Sequence, residues 1–261
     1  SFNGLTGPIP PSVGKLAKAC KVPLVTYKLE GGYFTTPRWA YTLRRGKMRG
    51  YVVQVYSAEQ LANMTADEVN DVIKADLFED AYARQDEERI RFKGRRLAEG
   101  LETALFICPQ CEQIGTLKSR GSEFSCSCGL KTVYDEYGYL NGGPYRTVTE
   151  WDAWQNQQLT RIATDLRDEP AFSDGNVTLN LIQANHRGER VDSGSGTLAM
   201  YRDKLVCGTL NFALDEISDM ALYGRGNIAF TSGGKHYALV GGRSFCGRKY
   251  LELYNQLQTT R

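Results

Sequence analysis

The sequence lacks long apolar runs, and no stretch approaches the roughly 18 consecutive apolar residues that a membrane-spanning helix needs. Apolar residues make up 41% and charged residues 24% of the 261 positions, which is usual for a soluble globular protein. This length allows one large domain or two to three small ones. Any contact of this chain with a membrane is therefore expected at the bilayer surface.

Acidic residues are almost missing from the first part of the chain. Residues 1–58 contain nine Lys or Arg and a single acid, Glu30, whereas residues 59–102 contain twelve acids and seven bases. The net charge of +2 hides this asymmetry. An excess of basic side chains attracts anionic partners, and a merely solvated basic face is the alternative.

The seven cysteines are not spread along the chain as a disulfide framework would be. Four of them fall within 21 residues, as Cys108-x-x-Cys111 and Cys126-x-Cys128. Two tight turns on adjacent hairpins can place four thiolates at tetrahedral corners, so the pattern predicts structural Zn²⁺ in a reducing compartment. Four reduced thiols without metal, or a redox dithiol, are the alternatives. The other three lie in apolar contexts and are expected to be buried: Cys20, Cys207 and Cys246.

Changes in residue pattern divide the chain into five parts. The first reads loop, helix, strand, long loop and strand, which is an α/β pattern. The expected boundaries are 1–58 for this α/β part, 59–103 for a helical connector, 104–140 for a zinc ribbon, 145–168 for a linker helix and 170–261 for a β-rich domain.

Three local signals refine this division. Thr65 and Glu68 have the spacing of a capping box at a helix start. The highly charged segment 83–100 predicts an exposed connector. Trp151 and Trp154 share one helical turn, and we expect them to pack between modules.

The β-rich part contains about seven short runs separated by Gly and Asp turns, and Gly233-Gly234 indicates a tight hairpin. A final helix carries its apolar side chains on one side: Tyr250, Leu251, Tyr254 and Leu257. Seven strands and one helix predict a small barrel or sandwich plugged by its last helix, similar to a pleckstrin-homology domain. The expected fold class is therefore multi-domain α+β, with a partial α/β domain, a zinc ribbon and a pleckstrin-homology-like β-barrel.

The opening stretch SFNGLTGPIPPSVGKLAKACKVPLVTYKLEG resembles the second half of the phospholipid/glycerol (1-acyl-sn-glycerol-3-phosphate) acyltransferases. Those enzymes carry a block F-P-E-G-x-R-S-x-x-G, then a helix, then a strand of the type V-P-[IVL]-[VIL]-x. Ser1 corresponds to the last Ser of the block, Gly4 to its trailing Gly, Gly14 to the helix-entry Gly and Pro23 to the strand Pro. The likeness covers residues 1–58, and the order of the modules behind them is similar to a bacterial subgroup of the family.

This resemblance implies transfer of a fatty acyl group from acyl-CoA or acyl-carrier protein to a lysophosphatidic-acid-type acceptor in phospholipid biosynthesis. In the family a His, oriented by an Asp of an H-x-x-x-x-D motif, acts as general base on the glycerol hydroxyl. That motif would lie upstream of Ser1, so this fragment would be inactive, and its parallel strands would expose an apolar edge. The whole enzyme would be cytoplasmic, peripheral on the cytosolic face of the membrane, with nucleic acid an unexpected partner.

Candidate substrate-binding residues lie at the start of the chain. A Gly-rich turn followed by the N-terminus of a helix over 13–20 offers backbone N–H groups to a phosphate. The resemblance, together with this turn, implies that Ser1, Gly4 and Lys15 bind substrate. An ordinary turn with solvated lysines is the alternative.

Histidine is scarce, with two residues in the chain, and neither is assigned a catalytic role. His186 and Asp192 form H-x-x-x-x-x-D, one residue longer than the family spacing, in a turn of the β-rich part. His236 lies in the alternating run KHYALV and is expected to be half-buried.

The segment YFTTPRWAYTLRRGKMRG (33–50) mixes basic and aromatic residues. Rings at a boundary and cations near phosphate suit a lipid headgroup region, and the same mixture can bind RNA by stacking and charge. Folding of this loop onto its own domain is the alternative. A different class of function, a non-catalytic zinc-ribbon adaptor that binds nucleic acid or protein, is also compatible with the sequence.

Overall fold

The computed structural model describes residues 1–183 and 190–259. The helices in these ranges are Pro11–Ala19 (α1), Gly32–Thr35 (α2), Ala58–Ala62 (α3), Ala66–Leu77 (α4), Ala81–Glu88 (α5), Val148–Asp165 (α6) and Gly247–Thr259 (α7), with a 3₁₀ turn at Leu101–Thr103. The strands are Leu24–Glu30 (β1), Arg49–Tyr56 (β2), Leu117–Arg120 (β3), Glu123–Cys126 (β4), Lys131–Tyr134 (β5), Leu140–Asn141 (β6), Phe172–Ile182 (β7), Arg190–Met200 (β8), Lys204–Cys207 (β9), Leu210–Ala213 (β10), Ile217–Tyr223 (β11), Asn227–Ser232 (β12) and Lys235–Val240 (β13). The protein is thus a mixed α/β structure with several antiparallel sheets.

The first strands form a two-stranded antiparallel ribbon, β1–β2, in which Val25 pairs with Val55 and Tyr27 with Val52. The expectation of parallel strands in this module was wrong. The connection between β1 and β2 carries only the short α2, not a crossover helix that could bring the chain back in parallel. A small core behind the ribbon combines Leu61 and Val69 with Ile73.

The helix α1 crosses α4 closely because Gly14 has no side chain. A Cβ at Gly14 would lie 2.3 Å from the Ala66 carbonyl oxygen. The Gly14 N–H donates to the Asn70 side chain at 3.2 Å. The glycine that the sequence places in the helix is therefore required for packing against α4.

A second core joins the loop at 33–40, α5, residues 92–105, the cysteine-containing sheet and the start of α6. The expectation that segment 83–100 is an exposed connector was wrong in part, since Phe92, Leu97 and Ala98 are buried. The spacing of these three residues follows neither a helical nor a strand period. The many charged residues around them therefore make the segment look exposed in the sequence.

The strands β3 to β6 form a four-stranded antiparallel sheet in sequence order. Leu117 pairs with Cys126 across β3–β4, and Val133 pairs with Asn141 across β5–β6. This small sheet carries the cysteines and places them beside α6.

The C-terminal strands form a seven-stranded antiparallel sheet in the order β10-β9-β8-β7-β13-β12-β11. The strands that come first and last along the chain, β7 and β13, are therefore neighbours in the middle of the sheet. The expected closure into a barrel is not found, because no pairing joins β10 to β11 within the described ranges. Instead α7 satisfies carbonyls at this opening: Tyr254 Oη donates to Ile217 O at 2.7 Å and Gln258 Nε2 donates to Leu214 O at 2.9 Å.

The helix α7 packs on the sheet with the face that the sequence indicates. Tyr250 and Leu257 are buried in the third and largest core, and Leu251 and Tyr254 pack against it partly buried. Leu253 is also buried there. The prediction of one apolar side for the last helix is confirmed.

The helix α6 connects the two large cores. Trp151 is fully buried in the core with the cysteine sheet, Leu159 is fully buried in the C-terminal core, and Trp154 packs against both. Trp154 therefore packs between the two large cores as expected, whereas Trp151 belongs to one of them.

Candidate metal centre

The first cysteine pair lies in a tight turn before β3. The Glu112 N–H donates to the Cys108 carbonyl at 2.8 Å, and the Cys108 N–H donates to the Gln113 carbonyl at 3.1 Å. Glu112 adopts a left-handed backbone conformation with φ of 58°. A bridge between Ile107 and Ile114 closes the base of the turn, and both thiols emerge from the same side of it.

The second pair lies at the end of β4. The Cys126 N–H donates to the Leu130 carbonyl at 2.9 Å, and the Gly129 N–H donates to the Cys126 carbonyl at 3.1 Å. Gly129 has φ of 102°, a conformation that is strained for residues with a Cβ. The glycine therefore allows the reversal that brings Cys128 back toward Cys126.

The four sulfur atoms converge on one point. All lie within 4.8 Å of one another. Cys108 Sγ is 3.7 Å from Cys128 Sγ, and Cys111 Sγ is 3.7 Å from Cys126 Sγ. A tetrahedron with metal–sulfur bonds of about 2.3 Å has edges of about 3.8 Å. The cluster therefore has the size that a single metal ion requires, and its thiols are free and not joined as disulfides.

The thiols differ in their electrostatic surroundings. Burial raises the pKa of Cys108 to about 12. Burial alone would also raise the pKa of Cys126. Hydrogen bonds from the Cys128 N–H, the Thr116 hydroxyl and the neighbouring thiols outweigh burial and lower the pKa of Cys126 to about 6. The Thr116 Oγ1 lies 3.1 Å from Cys126 Sγ. A cation at the centre would favour ionisation of the thiols.

Hydrogen bonds attach the cysteine cluster to α6. Trp151 Nε1 donates to the carbonyl of Ile107, next to Cys108, at 2.9 Å. The Gln155 side-chain oxygen accepts from the N–H groups of Phe106 and Ile107 at 2.7 and 3.2 Å. Cys108 is fully buried whereas Cys128 is exposed, so the cluster has an inner side fixed by the helix and an outer side facing solvent.

The prediction that these four cysteines form one cluster is confirmed, and the cluster could hold a metal ion. Of the remaining cysteines, Cys207 and Cys246 are buried as expected. Cys20 is exposed at the C-terminal end of α1, contrary to the expectation. Sequence reasoning missed Thr116 and Gln155, because the hydrogen bonds that connect them to the cluster join residues far apart in the sequence.

The predicted substrate-binding residues are placed apart from the cysteines. Ser1 Oγ accepts from the Gly4 N–H at 2.9 Å, and Gly4 has φ of 100°, so both form one tight turn. Lys15 is exposed on α1. That helix begins at Pro11 without a side-chain cap, and the intervening Pro-rich segment separates its N-terminus from the glycine turn.

The basic and aromatic loop folds onto its own protein. Tyr33, Phe34 and Trp39 are buried, which is the alternative stated for this segment. Arg44 is 3% exposed, and its guanidinium lies 4.8 Å from the Trp39 ring centre and 5.1 Å from that of Tyr134. These rings are therefore unavailable to a membrane or to RNA.

The structure describes one of the two histidines, His236. His236 is exposed on β13, not half-buried as expected, and its Nδ1 lies 2.9 Å from Thr231 Oγ1. His186 and the side chain of Asp192 lie outside the described residues.

No family model matches the chain, and no curated protein or solved structure shows significant similarity to it. Within residues 1–183 and 190–259, no helix combines the length and apolar character that crossing a bilayer requires.

Proposed function

We propose that this chain is part of a phospholipid/glycerol acyltransferase that transfers a fatty acyl group from acyl-CoA or acyl-carrier protein to a lysophosphatidic-acid-type acceptor. The motif likeness over residues 1–58 suggests this function. The structural observation that supports it most is the exposed face of the β1–β2 ribbon, which has the composition of an interior surface.

One face of the ribbon is covered by this chain. Thr26 is 3% exposed, and its hydroxyl donates to the Asp76 carboxylate of α4 at 2.7 Å. Tyr56 Oη donates to the same carboxylate at 2.9 Å. The opposite face is uncovered, and its apolar side chains are each more than half exposed: Val25, Tyr27, Leu29, Val52 and Val55.

This apolar face extends toward α1. Leu16 is 65% exposed and Val22 is 55% exposed, and a groove of 540 Å³ is lined by α1, β1 and α4. A two-stranded ribbon is marginally stable by itself, and contiguous exposed apolar surface marks an interaction site. The proposal accounts for this face as the surface on which the catalytic half of the domain packs.

In this proposal the catalytic His and Asp lie outside residues 1–261, and this chain contributes no general base. Ser1 and Gly4 would lie near the acceptor phosphate, with Lys15 as a cation on the neighbouring helix. The Gly4 N–H bonds to Ser1 Oγ within the turn and would not be a donor to the phosphate. The enzyme would act peripherally on the cytosolic face of the membrane.

The test is an assay of a longer protein. The codons upstream of Ser1 are expected to encode H-x-x-x-x-D and then F-P-E-G, and the protein that includes them should acylate lysophosphatidic acid. Replacing the His of that motif by Ala should abolish activity. In the longer protein, the amides of β1 and β2 should exchange hydrogen more slowly than in residues 1–261 alone. A start codon just before Ser1 would overturn the proposal and favour the non-catalytic adaptor.

We also propose that the metal ion is structural Zn²⁺. Four cysteine sulfurs form a complete tetrahedral set without an open position, which suits a structural and not a catalytic metal. Purified protein should contain about one equivalent of zinc. Chelation should unfold the cysteine sheet, which would appear as loss of the near-ultraviolet circular dichroism of Trp151. A content of less than about half an equivalent of any metal in the purified protein would contradict the proposal.

For the C-terminal domain we propose a pleckstrin-homology-like fold. It is supported by seven antiparallel strands whose first and last members pair and by the helix that follows them. The function proposed for this domain is accessory docking at a membrane or partner.

A further inference from the structure

Two arginines from separate loops, Arg225 and Arg243, lie beside Tyr41. The guanidinium carbons of Arg225 and Arg243 lie 5.0 and 4.3 Å from the centre of the Tyr41 ring. Arg38 donates to the carbonyl of Leu222 at 2.8 Å and to that of Gly224 at 3.4 Å. The ring and Arg38 thus hold the turn between β11 and β12 against the N-terminal loop.

Arg225 and Arg243 line a cleft of 550 Å³ whose other lining residues are uncharged. Within the described residues, neither of these arginines forms an ion pair with a carboxylate. Burial raises the pKa of the Tyr41 hydroxyl, and the negative charge of Glu102 raises it further. With two guanidiniums and no carboxylate in its lining, the cleft is positive.

The cleft wall is built from two glycine-rich loops. Gly224 and Gly226 lie in the β11–β12 turn, and Gly241 and Gly242 lie between β13 and α7. At Gly241 a Cβ would lie 2.1 Å from the Phe245 ring, whereas Gly242 has open space in front of it. The backbone at Gly242 is therefore accessible to a ligand in the cleft, whereas Gly241 allows the close packing of Phe245.

We propose that this cleft binds a phosphate group, held by the forks of Arg225 and Arg243. A guanidinium matches phosphate oxygens with two parallel N–H donors. Both arginines are exposed, and both guanidiniums lie against the same ring, that of Tyr41. The bound phosphate comes from a phospholipid headgroup or from a soluble phosphate ester, which share this chemistry. The inference does not depend on the acyltransferase proposal.

A purely structural role for these arginines, as clamps on Tyr41, makes a different prediction. Clamps would contribute to stability but would not respond to phosphate. The experiment therefore measures binding and stability separately.

The proposed experiment compares Arg225→Ala/Arg243→Ala with a charge-matched control, Arg120→Ala/Lys131→Ala, which removes two exposed cations from the cysteine sheet. Each protein is titrated with inorganic phosphate by calorimetry at fixed ionic strength, and its melting temperature is measured with and without phosphate. In a second arm it is co-sedimented with phosphatidylcholine vesicles, with and without phosphatidic acid. Arg225→Lys/Arg243→Lys tests whether the fork is needed beyond the charge.

Binding should be about tenfold weaker for each lost guanidinium, the control should bind like the wild type, and the lysine variant should lie between them. Phosphate should raise the melting temperature of the wild type but not of the Arg225→Ala/Arg243→Ala variant. Binding of free phosphate assigns a soluble ester, and binding only to vesicles with phosphatidic acid assigns a headgroup; both support the site. No binding in either arm, equal binding by the alanine variant, or a loss of stability alone would overturn it.

Discussion

At the scale of single residues, the cysteine spacing was sufficient to predict the cluster because a metal site imposes a local chemical pattern. Its supporting contacts were not predictable in the same way. Thr116 lies ten positions before Cys126, and nothing in its neighbourhood distinguishes it from other threonines. Only the β3–β4 register, which pairs Leu117 with Cys126, brings its hydroxyl to the sulfur.

Replacing Thr116 by Val should weaken metal binding about tenfold, the lower end of the effect of losing a hydrogen bond to a metal ligand. The hydroxyl lies 3.1 Å from Cys126 Sγ and helps to lower the pKa of that thiol, so its loss favours the protonated form that cannot bind metal. Thr116→Ser keeps the hydroxyl and should bind like the wild type. The measurement is competition with a chromophoric chelator at neutral pH, and equal affinities of the Val and Ser variants would show that the contact is unimportant.

At the scale of elements, local signals predicted helices well where they contain a complete capping pattern. The box expected at Thr65 and Glu68 is present at the start of α4, with both reciprocal hydrogen bonds. The segment 83–100 was mispredicted because its few apolar residues are fixed by long-range contacts. The Phe92 N–H, for example, donates to the Glu136 carbonyl at 2.7 Å, a partner that no periodicity indicates.

The start of α6 allows a matched test of capping. Thr147 Oγ1 accepts from the Glu150 N–H at 3.0 Å, and the Glu150 carboxylate accepts from the Thr147 N–H at 3.0 Å. Thr147→Ala should therefore destabilise the protein by about 1 kcal/mol. The control is Thr160→Ala in the middle of the same helix, where the hydroxyl bonds only to the Asn156 carbonyl and the Gln256 side chain.

Alanine has the higher helix propensity, so the control should change stability by less than about 0.5 kcal/mol. Urea unfolding followed by circular dichroism measures both variants. A cost at position 160 equal to that at position 147 would mean that the cap does not determine the stability of α6.

At the scale of the whole molecule, the sequence could not predict how the modules meet. The open C-terminal sheet, the antiparallel ribbon and the burial of Tyr33, Phe34 and Trp39 all depend on contacts between distant segments. The same is true of Arg248, which appears in the sequence as an ordinary charged residue of the last helix. It is 5% exposed and lies at the junction of three parts of the chain.

The Arg248 guanidinium contacts the Asp152 carboxylate of α6 at 2.8 Å and donates to the Ala104 carbonyl at 2.9 Å. Asn3 donates to the same carboxylate at 2.9 Å. Because Asp152 is 1% exposed, Arg248→Ala would leave a buried negative charge paired only by amides. Breaking such a buried pair costs about 3–5 kcal/mol.

The matched control is Arg146→Ala, since the ion pair of Arg146 with Asp86 is largely exposed and pairs of that kind contribute about 0–1 kcal/mol. Urea unfolding should show a large loss of stability for Arg248→Ala and little change for the control. Asp152→Asn combined with Arg248→Met removes both charges, and it should recover part of the lost stability because neither charge then remains buried alone. A double variant less stable than Arg248→Ala would show that the Asp152–Arg248 ion pair is not what joins α6 to α7. The contacts of the N-terminal segment with α6 would then have to account for the junction.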